Sequence, residues 1–171
     1  LDVSKNEKLN TLFADSTSIS NLDVTNNPNL EQLSCSNTGL MELDVTHNPQ
    51  LVTLDIGDTK VKTLDISKNP NLKQLSCYMT NIAELDVTKN TKLTRLFCHD
   101  TTIKKLDLSN NLELEMLRCG EIFEQGIRGL DISKNTKIKK LICDDLYWLN
   151  VGENKVLENN HAFVGNGYID I

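Results

Sequence analysis

With 171 residues, 39% of them hydrophobic, the chain can bury one sizeable core, and 5% aromatic content means aliphatic side chains must fill it. A formal net charge of −6 and a pI near 5.0 argue against a nucleic-acid partner. No apolar run approaches the ~18 residues of a membrane span, so membrane insertion is not expected.

The chain opens at Leu1-Asp2-Val3 in mid-pattern and without an initiator methionine, so an upstream segment that includes the N-terminal cap is expected. From there the pair Leu-Asp recurs at Leu1, Leu22, Leu43, Leu64, Leu85 and Leu106, always 21 residues apart. It returns at Leu130 after 24 residues and degenerates to Leu149-Asn150 after 19. Five residues beyond each of these leucines stands an asparagine: Asn6, Asn27, Asn48, Asn69, Asn90, Asn111, Asn135 and Asn154. Such a period signals a repeat architecture.

Each period has two halves. One reads L-x-x-L-x-C-x-x-T-x-L, as in Leu30, Leu33, Cys35, Thr38 and Leu40; the other reads L-x-x-L-D-V-x-x-N, as in Leu40, Leu43, Val45 and Asn48. Two inward residues around one outward residue is the period-2 signature of a short strand. No apolar stripe recurs every 3.6 residues, so long helices are not expected. A single 21-residue coil cannot bury its own leucines, but coils stacked at ~4.8 Å per rung make a continuous core.

These motifs resemble the leucine-rich repeat family, L-x-x-L-x-L-x-x-N/C-x-L. Within it they are most similar to the bacterial 21-residue subtype, sometimes called IRREKO, and to internalin J-like surface proteins in which a cysteine recurs in the core strand. The resemblance covers roughly residues 1–143. It implies a curved, right-handed solenoid with a parallel β-sheet, mostly strand and loop, and a binding role at the cell surface or in a secreted protein. One departure stands out: Thr17, Thr38, Thr59, Thr80 and Thr101 occupy a position where the family usually has asparagine. Those turns are expected to be tighter or partly hydrated, since a hydroxyl reaches less far than an amide. The asparagines of the other half are expected to point inward and satisfy loop backbone groups.

Cys35, Cys77, Cys98, Cys119 and Cys143 all occupy one repeat position, which Ala14 and Ile56 fill in the two remaining copies. Replacement by Ala and Ile indicates a demand for apolar volume. C-x-x-C pairs for zinc are missing, and five is odd. Cβ atoms on adjacent rungs would lie ~4.8 Å apart, beyond the usual ~3.8 Å, so five buried thiols are expected and no disulfide.

Asp2, Asp23, Asp44, Asp65, Asp86, Asp107 and Asp131 lie between inward residues and must point outward. The residue two positions on is always Ser or Thr, whose hydroxyl, with turn N–H groups, can bond each carboxylate. A calcium ladder is the functional alternative, but the glycine-rich nonapeptides of calcium β-rolls are missing. Lys5, Lys8, Lys68, Lys89, Lys92, Lys134 and Lys137 favour the adjoining turn and are expected to temper the aspartates. His47, His99 and His161 fall in unrelated repeat positions, and no hydrolase, zincin or phosphate-loop motif is present. No catalysis, metal or cofactor is expected.

Residues that break the repeat on its outward strand positions carry the functional information. Most rungs hold Ser, Asp or Gly there, but Tyr78, Phe97, His99 and Arg118 fall on adjoining rungs and would form one aromatic and cationic patch. The stretch 119–130 holds three extra residues and should project a loop beside that patch. After Cys143 the register is lost, and Tyr147, Trp148, Phe163 and Tyr168 are expected to form a C-terminal cap. The expected protein is therefore a monomeric, non-catalytic leucine-rich repeat solenoid of about eight coils. Residues 1–143 form the coils, and 144–171 a last degenerate coil and cap of the same domain. It binds an unknown protein or glycan through the inner strand face. The alternatives are a structural spacer, or a carbohydrate- or calcium-binding repeat.

Overall fold

The computed structural model describes residues 1–120, 126–143, 146–152 and 163–164. Its strands are β1 (Thr11–Phe13), β2 (Gln32–Ser34), β3 (Thr53–Asp55), β4 (Gln74–Ser76), β5 (Arg95–Phe97), β6 (Met116–Cys119), β7 (Gly129–Asp131), β8 (Lys140–Cys143), β9 (Trp148–Asn150) and β10 (Phe163–Val164). The eight strands β1-β2-β3-β4-β5-β6-β8-β10 form one parallel sheet, and β7 and β9 pair in a second. No helix occurs among the described residues. Six coils therefore separate β1 from β8, and a further rung is formed by β10.

The strands are short because each supplies one inward leucine flanked by outward residues. Those leucines stand in register across the rungs: Leu12, Leu33, Leu54, Leu75, Leu96, Leu117 and Leu141. The L-D-V half adds columns such as Val24, Val45, Ile66 and Val87, all buried. A buried leucine is worth roughly 1.5–3 kcal/mol over an exposed one, so dozens of such positions on a continuous stack supply the driving force. The three-residue excess falls between Cys119 and Ile127, the equivalent of Ile103 one coil earlier. The loop expected beside the patch lies largely in residues 121–125, outside the described residues.

Turns without strand pairing leave backbone carbonyls inside the coil. The asparagine column meets them: Asn48 Nδ2 donates to Val24 O and Asn27 O, both at 2.9 Å, in the preceding coil. Asn27, Asn69, Asn90, Asn111 and Asn135 repeat this double donation. All six are buried. The first copy, Asn6, is exposed, and its carbonyl accepts Asn27 Nδ2; Asn154 lies outside the described residues. The threonines act differently from an amide ladder. Thr38 Oγ1 donates to Cys35 O at 2.8 Å within its own coil, and Thr17, Thr59, Thr80 and Thr101 do the same three residues back. These turns are tight, closed locally by the hydroxyl. Each contains one residue of positive φ, from Ser16 to Asp100, and Asn37 and Asp58 among them are residue types that tolerate it.

The cysteine expectation needs correction at one end of the ladder. Cys35, Cys77 and Cys98 are buried free thiols, but Cys119 and Cys143 form a disulfide between adjoining β6 and β8. Their Cα atoms are 4.7 Å apart, inside the range that a disulfide spans. The Cβ argument failed because it treated the Cα–Cβ bonds of neighbouring rungs as parallel, whereas bonds tilted toward each other from Cα atoms 4.7 Å apart bring the two sulfurs together. Burial pushes the Cys98 thiol up to about 12, and burial with Asp15 and Asp55 does the same for Cys35. Of the aromatics expected in a C-terminal cap, two have described side chains. Tyr147, just before β9, is 77% exposed, and Trp148, in β9 of the smaller sheet, is 56% exposed. Phe163 lies in β10 on the end of the main sheet, and Tyr168 is outside the described residues.

The aspartate column folds as its spacing suggests. Asp23 Oδ1 accepts from Thr25 Oγ1 at 2.7 Å and Thr25 N at 2.9 Å, and Asp44 and Asp86 accept in the same way. Asp2, Asp65, Asp107 and Asp131 accept the N–H of the serine two residues on. The Thr25 hydroxyl first, then its N–H, hold Asp23 below the usual carboxylate range; at Asp65 the Ser67 N–H leads. Lys68, Lys89 and Lys134 add smaller pulls, while neighbouring aspartates push the other way. Among the described residues no three His, Cys, Asp or Glu side chains gather to hold a metal ion.

Three outcomes follow for solution work. Native protein should react with DTNB far more slowly than unfolded protein; unfolding without reductant should release three thiols and with reductant five. Fast native labelling would contradict the buried assignment. Asn69→Asp should lose about 2–4 kcal/mol by urea titration, because a carboxylate turns two donors into acceptors facing Val45 O and Asn48 O. Because the folded aspartates titrate lower than unfolded ones, their stabilisation is complete above about pH 4–5 and is lost as pH falls further. Replacing Asp44 and Asp86 by Asn should flatten the acid limb of a melting-temperature profile; an unchanged limb would show that this column contributes nothing.

Candidate functional site

The sheet turns three outward columns to solvent. Before the inward leucine stand Thr11, Gln32, Thr53, Gln74, Arg95, Met116 and Lys140. After it stand Phe13, Ser34, Asp55, Ser76, Phe97, Arg118 and Ile142, in register. Two residues further on are Asp15, Ser36, Gly57, Tyr78 and His99. Period-2 alternation alone puts all three on one face.

Tyr78 and His99 stack, with ring centroids 5.1 Å apart and planes 10° from parallel. The Tyr78 ring also lies on Gly57: a Cβ there would sit 2.3 Å from Tyr78 Cε1, so only glycine admits the ring. Tyr78 is half-buried and His99 only 9% exposed, with Nε2 4.0 Å from Asp100 Oδ2. Phe97 is half-buried and Arg118 exposed, directly opposite each other on β5 and β6. The four residues singled out from sequence thus occupy three consecutive rungs. His99 supplies a ring edge and a floor more than a free contact. Phe13, 65% exposed, shares the Phe97 column at the far end of the sheet.

Sequence reasoning passed over the charges flanking this platform. Arg95, Arg118 and Lys140 are exposed on β5, β6 and β8 and enter no ion pair among the described residues. Arg95 and Lys140 stand before the inward leucine, an outward position that the same alternation would have flagged. On the other side lie Asp15, Asp55 and Asp58, also outside any ion pair among the described residues. Asp15 Oδ1 accepts from Ser34 Oγ and from Ser36 N and Oγ, at 2.9 and 2.8 Å for the latter pair. The Asp55 carboxylate accepts Gly57 N at 2.9 Å. Burial first, and the charge of Asp15 less, hold Asp55 above the usual carboxylate range.

A second aromatic group sits on the β7/β9 sheet. Arg128 Nη1 donates to Tyr147 Oη at 2.6 Å, and its guanidinium carbon is 4.7 Å from that ring's centroid. The Trp148 indole covers Gly129, where a Cβ would lie 2.1 Å from the ring.

No family model matches the chain, and no curated protein matches it. Solved structures do. The functional domain of InlJ from Listeria monocytogenes, which includes a cysteine ladder, is 27% identical with a TM-score of 0.59, over 90% of this chain and 46% of that one. InlF of Listeria monocytogenes is 17% identical with a TM-score of 0.79, over 98% and 50%. A leucine-rich repeat protein of Leptospira interrogans is 15% identical with a TM-score of 0.72, over 95% and 50%. The chain spans about half the length of these structures. Its 21-residue coils, in-register parallel strands, buried asparagine column and core cysteines form a leucine-rich repeat solenoid similar to that of the internalins and of the InlJ cysteine-ladder domain.

Proposed function

We propose that this chain is a non-catalytic module that binds a protein partner through the inner strand face, centred on Tyr78, Phe97, His99 and Arg118. The observation that carries this reading is the break in the repeat: on three consecutive rungs the face holds an aromatic stack, a half-exposed phenylalanine and an exposed arginine. Elsewhere the same columns hold mostly Ser, Asp and Gly. Aromatic and arginine side chains are the usual anchors of protein interfaces. Residues 1–143 are the binding coils in this reading, and 144–171 complete the same domain. The module acts as a monomer in a bacterial protein, at the cell surface or secreted. That placement rests on the similarity to internalins, and the Cys119–Cys143 disulfide fits an oxidising compartment. Among the described residues no helix is long and apolar enough to cross a membrane.

The test is a pull-down with wild type, a Tyr78→Ala, Phe97→Ala, Arg118→Ala triple variant, and a control triple (Lys68→Ala, Lys89→Ala, Lys134→Ala) on the aspartate side. The patch variant should lose binding well over tenfold, since anchors contribute ~2 kcal/mol or more each. Its melting temperature should fall only a few degrees, because three outward residues leave the core intact. Equal binding by all three proteins would move the spacer reading ahead.

A further inference from the structure

The strand face is electrically polarised along the solenoid axis. Apart from Asp100, whose Oδ2 lies 4.0 Å from His99 Nε2, Asp15, Asp55 and Asp58 lie at the β1–β3 end, the aromatic platform is in the middle, and Arg95, Arg118 and Lys140 lie at the β5–β8 end. None of these six charges has an ion-pair partner among the described residues. The aspartates on the other half differ in their neighbours, because lysines lie beside several of them. Two unpaired groups of opposite sign on one face are complementary to a ligand that carries both signs in order.

One column sets the spacing. Asp55, Ser76, Phe97 and Arg118 stand opposite one another on β3, β4, β5 and β6. At ~4.8 Å per rung, Asp55 and Arg118 are about 14 Å apart along the axis. An extended chain rises ~3.4 Å per residue and presents residues i, i+2 and i+4 on one side, so i to i+4 also spans about 14 Å. The residue midway falls between Ser76 and Phe97. Half-buried Asp55, disfavoured as an anion by burial and by Asp15, is the group that an arriving cation would relieve most.

Resting on the binding role assigned above to this face, we infer that its partner is an extended polypeptide segment lying along the solenoid axis. The segment carries Lys or Arg at i over Asp55, an apolar side chain at i+2 beside Phe97, and Asp or Glu at i+4 over Arg118. Chain direction is free, because only side chains make the match, so the reversed order Glu-x-Leu-x-Lys docks equally. Electrostatic order of this kind selects among partners more than it adds raw affinity.

Fluorescent nonapeptides built on Lys-Ser-Leu-Ser-Glu, Lys-Ser-Leu-Ser-Lys, Glu-Ser-Leu-Ser-Glu and Lys-Ser-Leu-Glu-Ser test this by anisotropy at low salt. The last keeps the composition but turns Glu to the opposite side. The first peptide should bind at least fivefold tighter than each of the others. Asp55→Asn, which keeps an acceptor for Gly57 N–H, should erase its advantage over the all-acidic peptide. Arg118→Gln should erase its advantage over the all-basic one, and circular dichroism verifies that both variants fold. If all four peptides bind within twofold of one another while Phe97→Ala weakens them all, the charge order is wrong and the binding face stands. If the all-acidic peptide binds best and ignores Asp55→Asn, the cations form a polyanion site and the inference fails. It fails equally if none binds, and the pull-down above then decides the binding face on its own.

Discussion

The structure depends on a single repeated hydrogen-bond pattern: one asparagine amide donating to two carbonyls of the coil before it. A 21-residue coil must turn several times, and each turn leaves backbone groups that no strand can pair. Water cannot reach them once coils stack. Asn27 through Asn135 bring the donors from inside, and each ties its coil to the previous one through the same atoms. The donors win at the expense of the acceptor: the Oδ1 atoms of Asn27, Asn48, Asn69, Asn90 and Asn111 are buried and accept nothing among the described residues. Meeting two carbonyls outweighs leaving one amide oxygen dry, because each orphaned buried group costs roughly 1–3 kcal/mol.

Around that ladder the two halves of the coil divide the work differently. The threonine half closes itself with a hydroxyl three residues back and needs no neighbour. It can therefore sit beside the sheet, where coil-to-coil contact already comes from strand pairing. The L-D-V half has little strand pairing until β7 and β9, so it relies on the asparagine inside and the bonded aspartate outside. Each half has one side-chain device where its backbone is least supported.

This division leaves the strand face free. Leucines, asparagines, threonines and the cysteine column are committed to packing or to turns, and substitutions there report on stability. Apart from Asp15 and Asp55, which bond turn N–H groups, the outward columns carry no such duty, so the Tyr78–His99 stack and the cations Arg95, Arg118 and Lys140 are not required by the fold. Glycine marks the boundary between the two kinds of position: Gly57 has no side chain because Tyr78 occupies that space.

Much of this was legible in the sequence because a solenoid converts linear period into spatial register. Once Leu33, Leu54 and Leu75 recur 21 apart with outward residues beside them, rung, face and column follow, and so do the inward asparagines and bonded aspartates. The same rule brought Tyr78, Phe97, His99 and Arg118 together, and it held Arg95 and Lys140 as well, one outward position earlier. What period cannot encode is anything decided by side-chain rotation or by a break in the repeat. The Cys119–Cys143 disulfide depends on how two side chains tilt toward each other across one rung. The stack of Tyr78 on Gly57 and His99 depends on the direction a ring takes. The exposure of Tyr147 and Trp148 depends on where the chain runs after its register is lost at Cys143. Spacing determines which residues are neighbours; only the packed structure decides which way they turn.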